Sequence, residues 1–294
     1  MKNMNGSYVS DILYSELNKY LKNKRIPSIV DISIGDDFGS LMYSKMKEKT
    51  INNKTAIKFK SIHFDNISKD ELINYIINLN NDTSVDGIMI QLPLPDYLSV
   101  YKREILDSIS KEKDIDGLTS YSIKCMESGN YNFIPCTALG IETLLKCYSV
   151  RLLGKRVAII NRSDIVGKPL SYLMNRNFAL PVVCHSKTEN LSSITKECNV
   201  VVAALNKKEL ITREYIKDGA TVIDVGVHKS DDGNTVGDVN YNDVYDKVSL
   251  ITPSVGGVGP MTICMLAYNV SKVLYGDEVF DILENGIEKV KEWI

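Results

Sequence analysis

The sequence predicts an α/β protein of two domains, each built on a parallel sheet, followed by a helical tail. Three observations predict it. Short apolar runs alternate with amphipathic stretches along almost the whole chain. The alternation falls into two series that part near Thr137. The segment 261–294 keeps a helical pattern with no strand in it. Strands that alternate with helices pair in parallel through crossover connections.

In the first series, 29–34 (Ile-Val-Asp-Ile-Ser-Ile) reads as a strand, 40–52 as a helix and 56–62 as a strand. From Asp70 the segment Asp-Glu-Leu-Ile-Asn-Tyr-Ile-Ile-Asn-Leu carries apolar residues at helical spacing. A short apolar strand at 85–90 runs into Gln91-Leu-Pro-Leu-Pro95, where the prolines stop the strand and force an extended loop. One helix is expected over 98–110. The second series opens with a helix from Leu139, then a strand at 156–160 and a helix from Lys168. Further strands are expected at 181–184, 200–204, 221–225 and 250–251. The tail reads as two helices parted by Gly276. The expected domains are 1–137, joined by tail helices of about 265–294, and 138–264.

Composition narrows the function classes. A chain of 294 residues with 44% hydrophobic and 24% charged residues can bury full cores and has the balance of a soluble globular protein. Lys+Arg 35 against Asp+Glu 37 leaves a net charge of −2, so no basic excess points to nucleic acid. No apolar run is long enough to span a bilayer, and the first residues lack the apolar core of a signal peptide. A cytoplasmic protein without a membrane partner is the expectation. The six cysteines form no CxxC pair and the three histidines are scattered, so no metal site is expected and the thiols read as reduced and buried.

The segment Gly154-Lys-Arg-Val-Ala-Ile-Ile-Asn161-Arg162-Ser163-Asp164-Ile165-Val166-Gly167-Lys168-Pro169 is a strand, a tight turn and a helix start. Backbone N–H groups and the helix dipole favour an anion at such a turn, as at the pyrophosphate site of a Rossmann domain. The GxGxxG fingerprint is absent, because Asn161 and Ser163 stand where its first two glycines belong and Gly167 falls one residue past the third. The turn alone divides evenly between a cofactor loop and a plain strand-to-helix turn. The next strand continues His185-Ser186-Lys187-Thr188, where an NAD site usually offers an acidic residue to the ribose 2′-hydroxyl. With Arg162 near the same corner, these groups favour a 2′-phosphate and hence NADP. As isolated residues, Arg162 and Lys187 would read as solvated surface charges.

Tyr43 and Lys47 stand at i and i+4 on a predicted helix and share a face, a spacing that ordinary helix surfaces also show. Gln91 closes a buried strand, and polar groups at the carboxyl ends of parallel strands tend to face a ligand crevice; the plainer reading is a loop glutamine bonding backbone. Asp116-Gly117 reads on its own as a turn.

Taken in order, Tyr43-x-x-x-Lys47, Gln91-Leu-Pro-Leu-Pro95, Lys113-Asp-Ile-Asp116-Gly117, Pro135-Cys136-Thr137, Arg162-Ser163-x-x-Val166-Gly167-x-Pro169, Cys184-His-Ser-Lys-Thr188, Val222-Ile-Asp-Val-Gly226, Gly237-Asp-Val239 and Gly256-Gly-Val-Gly-Pro-Met-Thr262 resemble the bifunctional methylenetetrahydrofolate dehydrogenase/cyclohydrolase family. The resemblance runs from about Asn5 to the tail helices. It implies an N-terminal folate-binding domain across a cleft from a Rossmann-like NADP domain, tail helices packed back on the first domain, tetrahydrofolate derivatives as substrates, and a homodimer. Lys47 would be the general acid/base of the cyclohydrolase step, which requires its pKa to fall from about 10.4 towards neutrality. Gln91 would hydrogen-bond and orient Lys47, Tyr43 would stack on the folate ring system, and Asp116 would accept from the pterin donors. Leu92, Gly256, Gly257 and Pro260 complete the implied substrate contacts. Asn161, Arg162, Ser163, Ile165, Val166, Gly167, His185, Ser186, Thr188 and Val227 are the implied cofactor contacts. Cys136 reads as packing, since no histidine partner lies near it in sequence.

The chain departs from the family pattern at Ala138, Asn161, Asn206, Ser254-Val255 and Leu118-Thr-Ser-Tyr-Ser122. Most departures lie towards the nicotinamide and ribose, while Tyr43, Lys47, Gln91 and Asp116 are intact. Two alternatives therefore stand beside the bifunctional enzyme: a cyclohydrolase with a weak or NAD-linked dehydrogenase, and a non-catalytic folate-binding paralogue.

Overall fold

The computed structural model describes residues 2–230 and 232–294. The chain divides into two compact units. One comprises Leu13–Cys136 and Ile263–Gly286; the other comprises the start of the chain up to Ile12, Thr137–Thr262 and Ile287–Ile294.

The elements that build the first unit are α1 (Gly6–Leu21) from Leu13 onward, β1 (Ser28–Ile34), α2 (Phe38–Lys54), β2 (Lys58–Phe64), α3 (Lys69–Asn81), β3 (Gly87–Ile90), α4 (Asp96–Ser99), α5 (Lys102–Asp107) and α6 (Ser120–Glu127). Its sheet is parallel with order β2-β1-β3. Ile32 of β1 pairs with Ile62 of β2 and with Ile90 of β3. Every residue of β3 is buried, as a strand covered on both faces must be. In the centre of β1, Asp31 and Ser33 break that rule, because both are buried polar residues.

Three elements differ from the sequence expectation. Helix α1 was not anticipated, although Val9, Leu13, Leu17 and Leu21 recur every four residues and are all buried. The single helix expected over 98–110 is two short ones, broken where Tyr101 leaves the helical region at φ −100° and ψ 6°. Helix α6, capped by the Thr119 side chain, was also unassigned.

The second unit continues with α7 (Cys136–Cys147), β4 (Arg156–Ile160), α8 (Gly167–Arg176), β5 (Leu180–Cys184), α9 (Leu191–Thr195), β6 (Val200–Ala203), β7 (Thr221–Asp224), β8 (His228–Lys229), β9 (Thr235–Val236), α10 (Tyr241–Val244) and β10 (Leu250–Ile251). The main sheet is parallel with order β10-β7-β6-β4-β5, while β8 and β9 form a small antiparallel hairpin that the sequence reading lacked. Its core gathers Ala158, Val201, Val222, Ile211, Val239 and Ile251. The tail is α11 (Val258–Tyr275) and α12 (Glu278–Trp293). Within the first unit, α11 packs back as expected: the Tyr268 hydroxyl donates to the Leu13 carbonyl, and Asn269 Nδ2 donates to the Ile115 and Ile134 carbonyls.

At the carboxyl end of β7, Asp224 is buried and accepts from the backbone N–H groups of Gly226, Asp238 and Val239. Burial outweighs these bonds and pushes its carboxyl from 3.8 up to about 7. Between those two values the folded state holds a proton that the unfolded chain releases. The stability this adds is complete below about pH 4 and is gone once the pH has risen through about 7. Each pH step of one across that window removes roughly 1.4 kcal/mol at most. The expected outcome is a melting temperature that falls between about pH 5 and pH 7. The slope should flatten in Asp224→Asn, and an unchanged slope in the variant would sink this assignment.

Candidate active site

In the first unit, helix α2 starts at Asp37, whose carboxylate accepts from Ser40 N. The helix carries Tyr43, Ser44 and Lys47. The Lys47 ammonium sits 4.5 Å from the Tyr43 ring centroid, so the i, i+4 pair forms a cation–π contact. Lys47 is buried, with 6% of its surface exposed, while Tyr43 is half-buried. A buried ammonium backed by an aromatic ring differs from an ordinary surface lysine, which keeps its head in water.

Gln91 is buried at the end of β3, and its N–H donates to the Ile32 carbonyl across the sheet. Its side-chain Nε2 donates to Asp31 Oδ1 at 2.5 Å. Sequence analysis expected Gln91 to meet Lys47 and did not single out Asp31. The available signal was a carboxylate in the middle of a strand that should read as continuously apolar. Leu92, half-buried, begins the following loop through a cis Leu92–Pro93 bond.

The Lys113-Asp-Ile-Asp116-Gly117 segment contains two carboxylates with different environments. Asp114 is buried and fully engaged, accepting from Leu118 N, Thr119 N and the Ser122 hydroxyl. It therefore shapes the loop that leads into α6. Asp116 is half-buried. Desolvation raises its carboxyl pKa, Lys47 pulls it down, and Asp114 and Asp31 add to the rise. Asp116 and Lys47 are thus electrostatic neighbours. Gly117 turns the chain at φ +67°, where a Cβ would lie 2.9 Å from the Phe133 carbonyl.

The Cys136 thiol is buried beside them, donating to the Ile115 carbonyl at 3.7 Å and accepting from Asn269. Burial, reinforced by Asp116, pushes its pKa well above the usual thiol range. A thiol held protonated is a poor nucleophile, which agrees with a packing role.

In the second unit, Asn161 explains the missing glycines of the turn after β4. Its Oδ1 accepts from Ser163 N at 2.7 Å and Gly167 N at 3.2 Å, and its Nδ2 donates to the Ala204 carbonyl at 2.6 Å. The Ser163 hydroxyl in turn accepts from Val166 N. Gly167 keeps the role of a close-packing glycine, because a Cβ there would lie 2.2 Å from the Asn161 carbonyl. Ile165 is half-buried and Val166 buried in this turn, whereas Arg162 and Ser163 are exposed.

A cavity of about 350 Å³ opens beside this turn, within the usual size of small-molecule sites. Arg162, His185, Ser186, Thr188 and Lys207 line it together with the apolar Leu191, Leu205 and Leu210. Among the described residues no carboxylate lines it, so the lining fits an anionic group on a ribose beside an apolar slot for a flat base. The His185 loop is closed on itself by His185 N to Thr188 Oγ1 and by Thr188 N to the His185 carbonyl. Lys207 is a lining residue that sequence analysis missed; its backbone N–H is held by Asp238 Oδ1 at 2.7 Å. Val227, by contrast, is 67% exposed, following the end of β7.

The glycine loop before α11 is also in this unit. Gly256 has φ +81°, and its carbonyl accepts from Ser7 N. A Cβ on Gly257 would lie 2.3 Å from the Pro253 carbonyl. Pro260 is half-buried in the first turn of α11, and Val255, one of the departures, is exposed.

Comparison with known proteins agrees with this arrangement. The family description "Tetrahydrofolate dehydrogenase/cyclohydrolase, catalytic domain" matches residues 4–116, and its "NAD(P)-binding domain" counterpart matches residues 135–277. A protein of Lachnoclostridium phytofermentans named bifunctional protein FolD is 38% identical over 93% of this chain and 95% of its own length. The crystal structure of the bifunctional methylenetetrahydrofolate dehydrogenase/cyclohydrolase FolD from Campylobacter jejuni is 39% identical, covers 94% of this chain and 99% of its own, and superposes with a TM-score of 0.89. The Trypanosoma brucei enzyme, solved with NADP cofactor and inhibitor, is 30% identical over 92% of this chain and 96% of its own, with a TM-score of 0.86. The chain belongs to the tetrahydrofolate dehydrogenase/cyclohydrolase family.

Proposed function

We propose that this chain oxidises 5,10-methylenetetrahydrofolate to 5,10-methenyltetrahydrofolate with NADP and hydrolyses that product to 10-formyltetrahydrofolate. The observation that carries the reading is the buried Lys47 ammonium, 4.5 Å from the Tyr43 ring centroid and in the field of the Asp116 carboxylate.

Folate would be held in the first unit. Tyr43 would stack on its conjugated rings, Asp116 would accept from the pterin donors, and Gln91 would orient Lys47, with Leu92 at the loop edge. Gly256, Gly257 and Pro260 would be further substrate contacts. When bound, NADP supplies the hydride acceptor for the methylene carbon. Arg162, Ser186 and Lys207 would hold its 2′-phosphate, with His185 and Thr188 shaping the same cavity. The turn of Asn161, Ser163, Ile165, Val166 and Gly167 would receive the pyrophosphate, and Val227 would flank the nicotinamide end. Three N–H groups of that turn, on Ser163, Val166 and Gly167, are already satisfied by its own side chains. The Arg162 guanidinium would therefore carry much of the phosphate contact.

In the hydrolytic step, water adds to the methenyl carbon and the ring opens at N5. Lys47, as the neutral amine, would take one proton of the attacking water and pass it to N5 as the C–N5 bond breaks, while the remaining hydroxyl proton leaves to solvent as the formyl C=O forms. Domains of 1–137, with tail helices of about 265–294, and 138–264 belong to the same reading. The homodimer belongs to the same reading. It is supported by β5, an edge strand that leaves Leu180, Val183 and the neighbouring Phe178 exposed.

Four outcomes are expected. Purified protein forms methenyltetrahydrofolate and reduced cofactor from methylenetetrahydrofolate, and separately hydrolyses methenyltetrahydrofolate. Lys47→Met lowers the hydrolysis by on the order of 10²-fold or more, and hydrolysis that survives the substitution would reject the role of Lys47. NADP raises the melting temperature more than NAD at equal concentration; greater protection by NAD would reject the preference. Sedimentation gives a dimer that Leu180→Lys weakens, and a monomer at micromolar concentration would remove the homodimer from the reading.

A further inference from the structure

The two ends of the Gln91 amide are chemically opposite, since Nε2 only donates and Oε1 only accepts. Which end faces the reacting groups decides whether Gln91 can receive a proton donor such as the Lys47 ammonium. A neighbouring group fixes the choice. Asp31, with 0% of its surface exposed, places Oδ1 at 2.5 Å from Gln91 Nε2. With Nε2 donating to that oxygen, the amide turns its NH₂ to Asp31 and keeps Oε1 for donors elsewhere.

The second oxygen of the same carboxylate reaches another element. Asp31 Oδ2 accepts from the Ser44 hydroxyl, and Ser44 Oγ lies 3.2 Å from Ser61 Oγ on β2. Ser44 is on α2, three residues before Lys47 and therefore on the neighbouring face of the same turn. One buried carboxylate on β1 thus grips both the end of β3, through Gln91, and the helix that carries Lys47.

We propose that Asp31 is a positioning residue for the hydrolytic step: it fixes the orientation of the Gln91 amide and ties Gln91 to the helix turn that holds Lys47. The inference rests on the function proposed above for Lys47 and Gln91. Asp31 acts through Gln91 and Ser44 and is assigned no contact with substrate. A hydrophobic isostere would pack in its place yet leave the Gln91 amide free to turn over, which costs turnover more than binding.

The test is methenyltetrahydrofolate hydrolysis by wild type, Asp31→Leu, Asp31→Asn, Gln91→Leu and the Asp31→Leu/Gln91→Leu pair, with the melting temperature of each. The amide introduced by Asp31→Asn can accept from Gln91 through its oxygen and donate to Ser44 Oγ through its NH₂, so it can reproduce both bonds. The expected result is a fall of about 10-fold or more in kcat for Asp31→Leu with KM changed by less than about 2-fold. Asp31→Asn keeps kcat within about 3-fold of wild type. In the Gln91→Leu background, Asp31→Leu costs less than about 2-fold more, because its target is gone.

A full kcat in Asp31→Leu overturns the inference. So does a loss that persists undiminished in the Gln91→Leu background, or an Asp31→Asn as impaired as Asp31→Leu. Should Asp31→Leu not fold, Asp31→Asn and Ser44→Ala decide: a few-fold loss in Ser44→Ala with kcat retained in Asp31→Asn supports the inference, and any other pattern overturns it. No hydrolysis by the wild type overturns the assigned reaction and this inference together. Hydrolysis that ignores Asp31 overturns the inference alone.

Discussion

Buried carboxylates are the constraint on which both units depend. Loops leaving parallel strands carry backbone N–H groups that no neighbouring strand can take, and buried donors must be satisfied. In the second unit, Asp224 gathers the N–H groups of Gly226, Asp238 and Val239. Asp238 gathers those of Leu205, Asn206 and Lys207 and also meets His228 Nε2 at 2.8 Å. Gly226 and Gly237 allow these loops to close so tightly, since a Cβ on Gly237 would lie 1.7 Å from Asp224 Oδ2. The loop that carries Lys207 to the cavity beside Arg162 is thus held by a carboxylate.

The first unit uses the same device, with a charge consequence. Asp114 closes the loop that presents Asp116, and Asp31 takes the Gln91 amide and the Ser44 hydroxyl. Repulsion from Asp114 and Asp31 joins desolvation in raising Asp116, and Lys47 opposes the rise. The structural carboxylates spend their lone pairs on protein donors. Asp116, by contrast, is half-buried, and its charge is set against that of Lys47. Two aspartates two residues apart therefore differ by their surroundings, not by their identity.

The departures from the family pattern become intelligible in the same terms. Asn161 replaces a glycine in the nucleotide turn and substitutes side-chain hydrogen bonds for glycine's freedom, holding Ser163 N, Gly167 N and the Ala204 carbonyl at once. Asn206 stands at φ +56°, a conformation that asparagine tolerates better than most residues, where the family has glycine. Ser254 and Val255 lie in a turn whose tight glycines, Gly256 and Gly257, remain. The substitutions fall where the backbone has found another way to satisfy the same geometry.

The sequence by itself determined the alternation of strands and helices, and with it two parallel sheets, because burial on both faces imposes continuous apolar runs that are local and periodic. It also placed Tyr43 and Lys47 on one helix face, since that depends only on a spacing of four. The absence of an acid after β5 was equally readable, as it is a property of one short segment. Only the tertiary structure decided that Asp31 serves Gln91, sixty positions away. Only it separated Asp114 from Asp116, brought Lys207 beside Arg162, and broke the helix expected over 98–110. These depend on which strand lies next to which and on the donors that the pairing leaves unsatisfied. Such information belongs to contacts between distant residues, and no local period in the chain carries it.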